Sequence, residues 1–113
     1  MRRTKFAILA AIAASGCVTT DPTAGALGDE TNPVLADMPP GEHAYLRRLR
    51  CSNGQPPAFS RLGSMGIRHS SHVIDGYEAT CAGGEPARAT IFMDMYHPGH
   101  VEARAVPGFT IVP

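Results

Sequence analysis

The sequence predicts an α+β fold, with one N-terminal helix packed on a three- to four-stranded antiparallel sheet. Three observations lead there. In "EHAYLRRLR", Tyr45, Leu46 and Leu49 recur at helical spacing, with Arg47, Arg48 and Arg50 mostly on the other face. Two strand-like runs, His72 to Cys81 and Ala87 to His97, flank the five-residue loop "AGGEP" and predict a hairpin. The chain has 113 residues, which leaves room for one small domain.

In chain order, the first element is not part of that domain. Arg2, Arg3 and Lys5 form a positive region, followed by an apolar run from Phe6 to Ala14 that is too short to span a bilayer. This is the pattern of a secretory signal peptide over residues 1–16. The run ends in "AASGC", and small residues directly before Cys17 resemble the lipobox of bacterial lipoproteins. Ala14 stands where that pattern usually has Leu. The resemblance covers the first seventeen residues only. It implies cleavage before Cys17, lipid (palmitate among its acyl chains) on that cysteine, and a membrane anchor. The next residue is Val18, not the Asp that resembles an inner-membrane retention signal, so the implied address is the outer membrane, facing the periplasm.

The same resemblance bears on the other cysteines. The chain has three. With Cys17 lipidated, Cys51 and Cys81 remain in an oxidising compartment, and a disulfide between them is expected to staple the domain. Two free thiols are the alternative. Cleavage also removes three of the ten bases, leaving seven arginines against ten acids. That modest negative balance argues against nucleic acid as a partner.

From Val18 to Pro40 the chain is rich in Thr, Pro, Gly, Asp and Ala and has no aromatic residue. Such composition predicts a flexible tether over residues 17–37, with the folded domain at residues 38–113. Pro40 suits the first turn of the helix. "CSNGQPP" is turn chemistry, and Phe59 to Ile67 is ambiguous, broken by Gly63 and Gly66. Pairing the hairpin about "AGGEP" puts Val73, Tyr77, Ala79 and Cys81 on one face with Ile91, Met93 and Met95. In that register His72 stands opposite Tyr96 and Ser71 opposite His97. Two Pro-Gly turns follow, and Phe109 to Val112 could add an edge strand.

Chemistry-bearing residues gather at the open end of this hairpin. Met93 and Met95 share parity with Ile91, so they read as core and not as thioether ligands for Cu(I). "HPGH" is a Pro-Gly turn that brings His97 and His100 close, and "HSSH" sets His69 and His72 at the same end. Four imidazoles converging there would hold Zn²⁺ or Cu²⁺, with Asp94 or Asp75 as further ligands or supporting partners. No other cofactor is called for. No catalytic residue stands out either: "GSMG" is not a nucleophile elbow, and Asp75 and Glu78 face opposite sides of their strand. His43 reads as solvent-facing on the helix. The "RRLR" cluster reads as a solvated face or a contact for lipid headgroups or an acidic partner. Together these readings give a small non-catalytic binding or structural module of the cell envelope, with an envelope protein as its partner. The alternative is a periplasmic metal-binding lipoprotein.

Overall fold

A computed structural model describes residues 25–66 and 71–113. Strand β1, Val34–Leu35, leads into helix α1, Met38–Arg48, and strand β2, Leu49–Arg50, follows at once. Strands β3 (Ala58–Ser64), β4 (Asp75–Thr80) and β5 (Arg88–Asp94) come next, and β6 is Thr110–Ile111. The main sheet runs β1-β5-β4-β3, and β2 pairs with β6 in a separate two-stranded sheet. The fold is therefore the expected small α+β domain, with one helix and a disulfide between Cys51 and Cys81, whose Cα atoms lie 5.9 Å apart.

The helix begins where Pro39 and Pro40 occupy the first turn, whose N–H groups have no intrahelical acceptor in any case. Asp37 precedes it, but its side chain does not cap the helix; its carboxylate instead accepts from Gly99 N–H at 2.9 Å. Glu42, Tyr45 and Leu46 form the buried face. Leu49, expected on the helix, turns into extended backbone as β2 and is still fully buried.

The hairpin has the register expected from its loop, with Tyr77 opposite Ile91 and Asp75 opposite Met93. Tyr77, Ala79, Ile91 and Met93 are all buried on one face and pack with Tyr45, Leu46, Leu49, Val106 and Phe109. Burying each large apolar side chain contributes roughly 1.5–3 kcal/mol. The disulfide sits inside the same cluster, each cysteine 5% exposed. Val73 departs from the expected face. It is exposed while Ile74 is buried, because β4 starts only at Asp75 and Ile74 is held by backbone bonds to Met65 and Gly66.

Three further features differ from the expectations drawn from sequence. The sheet is mixed and not purely antiparallel, since β1 lies parallel to β5, with Val34 beside Met93. Residues 25–37 belong to the fold and are not tether: Val34 and Ala36 are buried, and Gly28 C=O accepts from Phe92 N–H at 2.7 Å. The physical reason is that composition averages over a segment, whereas burial and backbone pairing act at single positions: Val34 and Ala36 pack inward, and Ala36 N–H donates to Asp94 C=O at 2.8 Å. Phe109 to Val112 supplies an edge strand, but it pairs with Leu49 and Arg50 and does not extend the main sheet. The ambiguous stretch before Ile67 becomes β3, an edge strand with a register irregularity between Arg61 and Gly63. Gly63 sits at φ 134°, a conformation that favours glycine, and this explains the break in pattern.

Candidate metal centre

At the end of β5 the chain places Asp94 on the face opposite the core, yet the carboxylate is 4% exposed. Three groups cover it. His72, just before β4, donates from Nδ1 to Oδ2 at 2.8 Å and lies 3.0 Å from Oδ1. His97 donates from Nε2 to Oδ2 at 3.0 Å. Tyr96 N–H donates to Oδ1 at 3.1 Å. The two imidazoles meet edge to face, 5.4 Å between centroids, and Tyr96 packs against His72 at 5.3 Å.

Local sequence explains why these groups converge. The antiparallel register sets the start of β4 beside the end of β5, which delivers His72 to Asp94. Pro98-Gly99 then reverses the chain. Gly99 adopts φ 78°, and His100 N–H bonds back to His97 C=O at 3.0 Å, as a Pro-Gly turn requires. His97 N–H is anchored in turn on Ala36 C=O at 3.1 Å, so the segment after β1 fixes the turn.

One donor atom from each of His72, Asp94 and His97 lies within 4.8 Å of the others, and this group could hold a metal ion. The chemistry of the set fits a borderline divalent cation: two imidazole nitrogens and one carboxylate oxygen. Ligands about 2.0–2.1 Å from a tetrahedral ion stand about 3.3 Å apart. The two nitrogens already lie 2.8 and 3.0 Å from Oδ2, so a small outward shift would admit an ion in place of two N–H hydrogens. The imidazoles are about a third exposed, 35% and 33%, which gives solvent a path to the donors. Burial alone would push the Asp94 carboxyl up. The hydrogen bonds from His72, Tyr96 N–H and His97 outweigh it and hold the group below the usual carboxylate range, so it is an anion at neutral pH.

Of the four histidines the sequence singles out, His72 and His97 come together. His100 does not: the turn sends it away, with Nε2 3.7 Å from Glu102. The physical reason is that a Pro-Gly turn brings two Cα atoms close but projects their side chains apart. His69 lies outside the described residues. Asp94, expected as a further ligand, is the centre of the group. Asp75, the other carboxylate named with it, faces the core side and pairs with Arg61 at 2.9 Å. Met93 is fully buried and Met95 half-buried, which supports their reading as packing residues.

A second polar cluster was not legible in the sequence. Glu42 is fully buried and accepts a hydrogen bond from Tyr77 Oη at 3.0 Å, and His43 Nε2 lies 3.1 Å from the same Oη. His43 is thus half-buried against Tyr77 and Phe59, not solvent-facing. The only sequence signal was a glutamate one turn before Leu46 on the apolar face. The "RRLR" arginines are largely committed to the fold as well. Arg48 donates to the carbonyls of Val112 and Glu102, each at 3.0 Å, and Arg50 to those of Arg47 and Leu49. Arg47 lies over the Phe59 ring.

Among the described residues, no helix is long and apolar enough to cross a membrane. Cys17 lies outside them. No protein-family model, no curated protein and no solved structure matches this chain.

Proposed function

We propose that this protein is a small, non-catalytic envelope lipoprotein that binds a divalent transition metal, Zn²⁺ or Cu²⁺, through His72, Asp94 and His97. The observation that carries the reading is the convergence of three donor atoms within 4.8 Å at the open end of the β4–β5 hairpin. The donors are imidazole and carboxylate, so the cargo is a borderline divalent ion and not Cu(I), which favours thiolate and thioether. Lipid on Cys17 tethers the domain to the periplasmic side of the outer membrane, and its support is the "AASGC" pattern after a charged and apolar leader.

The test is equilibrium dialysis of the purified mature protein against Zn²⁺ and Cu²⁺ near neutral pH, with metal measured per chain. One equivalent is expected for the wild type and for His100→Ala, and a loss of at least tenfold in affinity for His72→Ala and His97→Ala. Absence of stoichiometric uptake, or equal uptake by a variant carrying both His72→Ala and His97→Ala, defeats the metal reading. Mass spectrometry of the mature N-terminus tests the anchor separately: an unmodified Cys17 would refute it.

A further inference from the structure

The Glu42 cluster lies on the core side of the sheet and plays no part in the metal centre. Its wiring is directional. If His43 Nε2 donates to Tyr77 Oη, Tyr77 passes its own proton toward Glu42 Oε1, and this fixes Oε1 as an acceptor. Oε2 is left fully buried without a hydrogen-bond partner among the described residues. Asp75 is the acidic neighbour, itself 4% exposed, with one oxygen held by Arg61 at 2.9 Å. Two carboxylates cannot both be ionised side by side in a site closed to water unless something compensates them. Arg61 supplies one positive charge, and that charge is engaged by Asp75.

We propose that Glu42 is a neutral acid at neutral pH, its Oε2 hydroxyl facing Asp75, and that loss of this proton at alkaline pH loosens helix α1 from the sheet. The device is a pH-operated latch between α1 and β4. The groups facing Glu42 come from three elements: His43, acting through Tyr77, from α1; Tyr77 and Asp75 from β4; Arg61 from β3. Only Arg61 among them is a permanent cation, and it bonds Asp75 directly. The step moves one proton from Glu42 to solvent and leaves two adjacent buried anions.

Burial first, and then the Asp75 carboxyl, push Glu42 up to about 8, from 4.5 in the unfolded chain, against the lowering effect of the Tyr77 hydrogen bond. The folded chain therefore binds more protons than the unfolded one between these values. Stability from this group is complete below pH 4.5, falls as pH rises, and levels above about 8. Within that window one proton is released per unfolding event, so the unfolding constant rises about tenfold per pH unit.

The experiment has two arms on the full mature protein. Infrared difference spectra of wild type at pH 7 should show a protonated carboxyl band that disappears as pH is raised well past 8 and is absent from Glu42→Gln. Urea unfolding from pH 5.5 to 7.5 should show the tenfold-per-unit rise in wild type relative to Glu42→Gln, whose amide cannot ionise; the titration of groups remote from Glu42 cancels in that difference. A wild type with no protonated carboxyl at pH 7 overturns the proposal, and this arm needs no variant to fold. Equal pH slopes for the two proteins overturn it as well. The conservative Asp75→Asn should shift the loss of the infrared band to lower pH, and an unmoved band would show that Asp75 is not its partner.

Discussion

Breaking the Cys51–Cys81 bond is expected to remove a large share of the stability of this domain. The bond spans a sequence separation of 30. On the chain-entropy model, a loop of that size costs the unfolded chain about 12 cal/mol/K, or about 3.5 kcal/mol at 25 °C. Total stabilities of small domains run from about 5 to 15 kcal/mol, so this loss brings the fold near its limit. With a urea dependence of about 1 kcal/mol/M, the midpoint should fall by about 3.5 M. Thermally, the midpoint should drop by about 15–25 °C. Circular dichroism during urea unfolding, with and without reductant, reads the difference, and Cys51→Ala/Cys81→Ala repeats it without relying on reductant access. A loss under about 1 kcal/mol would refute the reasoning, because it would mean the unfolded chain gains little freedom when the loop opens.

Other outcomes follow from single sites. Met93→Ala should cost about 2–5 kcal/mol in chemical denaturation, since the side chain is fully buried in the core cluster; a loss under about 1 kcal/mol would place it outside that core. Val34→Asp should destabilise the domain by more than about 3 kcal/mol, because it sets a charge at a fully buried position in the segment whose composition suggests a tether. A neutral result there would return residues 25–37 to the tether. Hydrogen bonds from Arg104 hold the Glu102 carboxyl down to about 2, against 4.5 when unfolded, so it contributes stability above pH 4.5 that is lost as pH falls toward 2. Arg104→Ala should flatten that acid limb of the stability profile, and an unchanged limb would assign it elsewhere. Asp94→Asn should weaken metal binding at least tenfold in dialysis while leaving the fold intact, since the amide oxygen still accepts from Tyr96 N–H.

The sequence by itself determined the hairpin, its register and the core face of its paired strands, though not the outward turn of Val73. The side-chain period of a strand is two, and a loop of fixed length leaves one pairing that keeps Tyr77, Ala79, Ile91 and Met93 together. That same register carried His72 to the end of β5, so half of the metal centre was legible in the residue pattern alone. What tertiary structure decided was direction and distance across the chain. It chose Asp94 over Asp75, since only Asp94 lies on the imidazole face, and it turned His100 away from His97. It drew Val34 into the sheet from a segment whose average composition looks unfoldable, because burial is settled by one side chain's neighbours. It also seated Glu42 between Tyr77 and Asp75, joining positions more than thirty residues apart. No local pattern encodes such a contact, for its energy arises only once the helix has closed over the sheet and excluded water.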